Sequence, residues 1–408
     1  MFYDPYLICD TFIMDYDKVL SHNHVNVINM KIIGLIVNNK LNSVQILRGL
    51  AALSVVLFHY RFWLSPLYGD LTIPNKYLSW GSAGVDLFFV ISGFIMFHIT
   101  SKKPSGLKPA LFFSIERLTR ILPTYFIALF IAFYYTWEVG YFVDPQKLQN
   151  IISALTFTPF VDAYPPLYID AGGIFVIRWT LNYELYFYLI FALCILFNKK
   201  IPGVILWILA TVIAGLSMTG KVTLSTAGYE TGSPVLSFLT NPIIFEFALG
   251  ILAGYTVKHA EKWSGKTKLA FSLFTAIIFI YAVHNRLIEG YSLKTGVISY
   301  FILVTFVIND RIITKITPSF FVMLGNISFS WYLLHNQIGS YISWKVEANN
   351  PGVMHNAYGF TILLILSICI AWLSHKYIEG ILTNKIRNRI FMSRPGKLVD
   401  MRKVNQGA

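Results

Sequence analysis

Long apolar stretches alternate along the chain with short polar connections that are often basic. Runs near the roughly 20 residues that carry a helix across a bilayer lie at about 41–64, 84–100, 121–137, 179–197, 201–219, 236–257, 267–284, 293–308, 320–343 and 358–379. The pattern predicts an all-α, polytopic integral membrane protein with about ten transmembrane helices. The segment "LQNIISALTFTPF", residues 148–160, is shorter and meets Pro159, which predicts an amphipathic or re-entrant piece and no further crossing. No period of 20 to 50 residues repeats along the chain.

Composition strengthens this reading. With 55% hydrophobic residues, 13% charged and a mean hydropathy of +0.59 over 408 residues, a soluble domain is excluded. The net charge of +13 follows the topology. With the residues before the first span inside, the inside connections hold 20 Lys and Arg and the outside connections seven, as the positive-inside rule requires. Both termini are therefore expected in the cytoplasm. The basic excess meets anionic lipid headgroups and calls for no nucleic acid.

The first 29 residues hold four aspartates against one lysine and only scattered apolar positions. They read as an upstream misassigned start before Met30, or as a short disordered or surface-lying leader. The expected organisation is a leader over 1–40, a ten-helix membrane domain over 41–380 and a basic cytoplasmic tail over 381–408. Cys9, Cys194 and Cys369 form no framework, and no disulfide is expected.

Ionisable groups inside spans cost about 2.5 to 3.5 kcal/mol each on insertion scales, so each needs a reason. In "LRGLAALSVVLFHYRF" Arg48 and His59 are eleven residues apart. At 100° and 1.5 Å per residue they share a face within about 20°, at depths about 16 Å apart. Snorkelling toward opposite headgroups would account for each alone. Asp86, Glu184 and His335 fall at outer depths on other spans and converge with His59. Arg117 and Arg120 share a helix face on the inner side, with Glu379 at the same level. Taken singly, Asp86 could be an interfacial helix-start carboxylate and the arginine pair could be topology anchors.

Together these groups describe a path for an anionic cytosolic donor whose reactive end surfaces on the far side. Arginine forks suit phosphates, and a histidine of near-neutral pKa suits removal of a hydroxyl proton. Coenzyme A thioesters have that shape.

In this order, "RGLAALSVVLFH", "GVDLFFVISGF", "RLTRILPTY", "WTLNYELYFY", "SFSWYLLH" and "SHKYIEG" resemble acyltransferase family 3, membrane O-acyltransferases that modify bacterial surface polysaccharides and related glycans. The resemblance covers about residues 41 to 380 and is nearest the stand-alone exopolysaccharide-type members. It implies a bacterial cytoplasmic (inner) membrane location and an acyl-CoA donor, acetyl-CoA in the first place. The acceptor would be a hydroxyl of a polysaccharide or lipid-linked glycan. It makes His59 the catalytic base, with Arg48 holding the donor or the histidine, and sets Arg117 and Arg120 on the CoA phosphates. Glu184, His335, Trp179 and Tyr332 would line the acceptor side or the pore. No metal and no tightly bound cofactor is assigned. Gln337 and Ile381 stand where the family often has proline, which bears on local helix ends.

The expected chemistry is direct transfer, with Asp86 orienting the His59 imidazole. No Gly-x-Ser-x-Gly elbow accompanies His59, and Ser54 points about 140° away from it. A covalent acyl-enzyme is the alternative course. Rival classes are a transporter or flippase for a glycan or small solute, which intramembrane charges also mark, and a scaffold for a polysaccharide synthase in which His59 is dispensable.

Overall fold

The structure, a computed structural model, describes residues 41–67, 69–136, 142–198 and 200–392. The expected leader and the last part of the tail, from residue 393, lie outside the described residues. Every regular element among the described residues is helical. In chain order they are α1 (Asn42–Tyr60), α2 (Thr72–Leu78), α3 (Gly84–Thr100), α4 (Leu107–Thr136), α5 (Pro145–Thr156), α6 (Trp179–Leu196), α7 (Lys200–Thr219) and α8 (Pro234–Thr240). There follow α9 (Phe245–Ala260), α10 (Gly265–His284), α11 (Leu293–Ile308), α12 (Asp310–Ile316), α13 (Ser319–Ile342), α14 (Ala357–Ser374) and α15 (Thr383–Met392).

Among the described residues eight stretches are long and apolar enough to cross a membrane, and nine when α11 and α12, bent by 85°, count as one span. The remaining expected span is α13, whose 24 residues include Asn326, Ser328, Ser330, His335, Asn336 and Gln337. Its polar positions are buried among other helices: Ser328, Ser330 and His335 are fully inaccessible. Polar residues of this kind join helices where lipid offers no hydrogen-bond partner. The chain is thus an all-α, multi-pass membrane protein. α5 spans 12 residues, opened by the Asp144 carboxylate accepting from the N–H of Gln146 and Lys147 and by Pro145 at the first turn, and is too short to cross.

α1 and α13 form the most extensive helix pair, followed by α3 with α9. Both pairs meet at glycines. A Cβ at Gly325 would lie 1.9 Å from the Gln45 carbonyl oxygen, and one at Gly93 would lie 2.1 Å from that of Phe247. Small residues let membrane helices approach backbone to backbone, where packing and not hydrophobicity holds them together. By contrast α10 buries only 11% of its apolar window and α7 only 22%, so these two form the lipid-facing periphery. Gly325→Ala is therefore expected to reduce the yield of folded, monodisperse protein severely, because a backbone oxygen cannot rotate aside. Gly265→Ala, at an open position, should leave it unchanged. Size-exclusion chromatography in detergent compares the two.

Long-range caps fix the ends. Asp310 accepts the Ser43 N–H at 2.8 Å, so the α11–α12 bend serves the exposed donors at the start of α1. Helix α13 runs on past Gln337 to Ile342, and the chain after α14 continues through a π-helical stretch, His375–Leu382, into α15. Without proline at 337 or 381, nothing stops either helix there.

Candidate active site

Five helices wall a cavity that is partly open to solvent. Helix α3 contributes Val85, Phe88, Phe89, Ser92, Ile95 and Met96, a stripe at helical spacing about 16 Å long. Thr180, Glu184 and Tyr188, four residues apart along α6, form a second stripe. Arg48 enters from α1, Arg117 and Arg120 from α4, and Ser328, Phe329 and Tyr332 from α13. The charged lining is three arginines against one carboxylate.

The arginines sit at one end. α4 begins at Leu107, well before the apolar run that marks it in the sequence, so Arg117 and Arg120 stand inside a helix of 30 residues and on its inward face. Arg117 is 6% exposed and its Nε has no hydrogen-bond partner. A guanidinium buried that far is costly without an anion. Arg48 donates to Gln45 Oε1 at 3.3 Å and interacts electrostatically with Arg120, Glu379 and Glu184. Glu184 accepts a short hydrogen bond from Tyr188. Glu379 reaches across from the π-helical stretch to accept from the Ser330 N–H at 3.1 Å and from its hydroxyl, and it pairs with His375 at 3.4 Å. The arginine end and Glu379 thus share one level, as the sequence predicts.

Away from the arginines, Tyr332 hydrogen-bonds Thr180 at 2.8 Å, and both line the cavity. The Tyr332 ring lies 6.0 Å from that of His335, which lies 4.9 Å from that of His59. The two histidines stand together and do not line the cavity. His59 Nδ1 lies 2.9 Å from the Val55 carbonyl oxygen. A carbonyl only accepts, so Nδ1 carries the hydrogen and Nε2 keeps its lone pair.

Two expected placements are corrected. Asp86 does not orient His59: its carboxylate accepts the N–H groups of Tyr291 and Ser292 at 2.9 and 2.7 Å, capping the start of α11, and the Val55 carbonyl holds the imidazole instead. A buried carboxylate at a helix N-terminus is satisfied by that helix's free donors. Trp179 does not line the cavity. It is 4% exposed and packs edge-on against Phe89, Tyr183 and Tyr291. Of the residues expected on the acceptor side, Glu184 and Tyr332 line the cavity.

Other polar residues escaped the sequence reading. Glu246 is fully buried beside Asp86, and its position in "IIFEFALG" carried the same signal as Asp86 did. Tyr188, one turn from Glu184, was legible from helical spacing. Arg178 counted only as a loop charge, yet it is fully buried and donates to the Ile174 carbonyl and to Ser153 Oγ at 3.1 Å. No local pattern in the loop foretells those partners.

A model of the acyltransferase domain family matches residues 41–376, and the chain belongs to that family. Among known proteins, it is 33% identical over 177 residues to the exopolysaccharide production protein ExoZ of Rhizobium meliloti, 43% of this chain and 50% of that one. It is 25% identical over 359 residues to a provisionally named O-acetyltransferase of Staphylococcus aureus strain COL, 82% of this chain and 56% of that one. The chain spans about half the length of these curated relatives. No solved structure matches it.

Proposed function

We propose that the protein is a membrane O-acyltransferase of the bacterial cytoplasmic membrane. It moves an acyl group, acetyl in the first place, from cytosolic acyl-CoA to a hydroxyl of a polysaccharide or lipid-linked glycan. The observation that supports this most is the cavity with three arginines at one end and, past Tyr332 at the other, a histidine whose Nε2 lone pair is available. The names of the relatives, one for exopolysaccharide production and one for O-acetyl transfer, point the same way.

In this reading Arg117 and Arg120 take the CoA phosphates, with Arg48 further in, and the pantetheine arm lies along the apolar α3 stripe. The thioester carbonyl then sits near Tyr332. His59 Nε2 removes the acceptor hydroxyl proton, the oxygen attacks the carbonyl carbon, and the C–S bond breaks to release CoA toward the arginine end. Passage of the acyl tip requires the Tyr332–Thr180 contact to part.

Purified protein given labelled acetyl-CoA and unacylated polysaccharide from a strain lacking the gene separates the classes. Transfer of label to the polysaccharide is the expected result. Solute flux through reconstituted vesicles with no acyl transfer would establish a carrier instead. Mass spectrometry of surface glycans with and without the protein should show the loss of one acyl group.

A further inference from the structure

His335, beside the candidate site, keeps one polar atom unpaired. It is fully inaccessible, its Nδ1 lies 2.7 Å from the Tyr332 carbonyl oxygen and 3.2 Å from that of Trp331, and its Nε2 has no partner among the described residues. Those carbonyls make Nδ1 the donor, so Nε2 is a buried lone pair with nothing to accept. Leaving such an acceptor unpaired is costly in a buried place. The ring is fixed by more than its own helix, since the Tyr60 hydroxyl bonds the His335 carbonyl at 2.8 Å and ties α1 to this turn of α13.

The ring beside it is His59, at 4.9 Å between centroids and inclined by 62°. Tyr60 and Tyr332 supply the other rings around His335, at 6.2 and 6.0 Å, and no carboxylate is hydrogen-bonded to either imidazole among the described residues. Two neutral histidines, each with Nδ1 tied to backbone and Nε2 bare, are thus held side by side in a place with no acid to stabilise a newly formed imidazolium. Asp86, the carboxylate within reach by sequence, is committed to α11.

From this juxtaposition we infer that His335 is the proton-sharing partner of His59. The inference rests on the assignment of His59 as base. As the acceptor O–H breaks and the O–C bond to the acyl carbon forms, the proton passes to His59 Nε2. His335 Nε2 shares it through a hydrogen bond, and it leaves on the departing CoA sulfur when the C–S bond breaks. One hydroxyl proton ends as one thiol proton, and no other reactant is needed. His335 touches neither donor nor acceptor in this scheme and acts through His59.

His335→Phe keeps an aromatic ring without the acceptor, and His335→Gln offers an acceptor that cannot take up a proton. Both should lower kcat by roughly 10- to 100-fold, the size typical of outer-shell partners, with the KM for acetyl-CoA unchanged. Near-normal kcat in His335→Phe would reduce the ring to packing, and near-normal kcat in His335→Gln would reduce it to a static acceptor; either overturns the inference. If both variants fail to fold, nitrogen-15 NMR of the unaltered protein with labelled histidine, titrated to acid, decides. A coupling between the two Nε2 nitrogens through one shared proton is expected, and two uncoupled Nε2 signals overturn the inference. Should His59→Ala remain active, it is the base assignment that fails. Should His59→Ala be inactive while the His335 variants are active, only the partnership fails.

Discussion

Replacing His59 with alanine is expected to lower acyl transfer by about 10² to 10⁴, the usual cost of losing a general base, while expression and donor binding persist. His59 Nε2 is the free nitrogen, since Nδ1 is engaged with the Val55 carbonyl. The side chain also lies outside the donor cavity, past Tyr332, so its removal leaves the arginine end and the α3 stripe intact. The donor KM should therefore stay close to normal and the loss should fall on kcat. Steady-state kinetics with saturating acceptor checks this. Activity near normal would remove His59 from the chemistry.

The opposite end should fail in the opposite way. Arg117→Ala or Arg120→Ala is expected to raise the KM for acyl-CoA by about 10- to 100-fold, the equivalent of one lost charge-assisted hydrogen bond of roughly 1.5–3 kcal/mol. kcat should be nearly kept, because phosphates that do not react are held equally in the ground and transition states. Arg117 is the sharper test. Its buried Nε has no hydrogen-bond partner among the described residues, so a ligand is the natural recipient of that donor. Lysine at either position should rescue only in part, keeping charge but losing the bidentate fork. If kcat falls while the donor KM is unchanged, the arginines are packing or topology residues, and the phosphate assignment is wrong.

How far the sequence reached can be judged at particular residues. Apolar runs marked the membrane helices because lipid contact demands them, which is why lipid-facing α7 and α10 were plain. α13 was legible by length, although Ser328, Ser330 and His335 are buried and Ser330 bonds Ser374 and Glu379 from the next helical stretch. Helical spacing put Arg117 with Arg120 and Arg48 with His59, and the first pair does share the cavity. The second pair does not: Arg48 lines the cavity, whereas His59 stands outside it beside His335. Periodicity along one helix carries no information about what another helix inserts. Asp86 shows the same limit. Its burial was foreseeable, whereas its partners Tyr291 and Ser292, 205 and 206 residues away, were not. The contact between His59 and His335 lies between these cases, since both were placed near one depth and only the packing of α1 on α13 made them neighbours.

The central claim is that an acyl group enters at the arginine end and reaches a hydroxyl at the histidine end. Proteoliposomes of uniform orientation test it most directly, with labelled acetyl-CoA supplied on the basic face and unacylated polysaccharide confined to the other. Labelled ester on the polysaccharide across the membrane is expected, lost when His59 is replaced by alanine. Polysaccharide across the membrane that stays unlabelled while polysaccharide added on the acetyl-CoA side becomes labelled, or transfer that persists without His59, would contradict it.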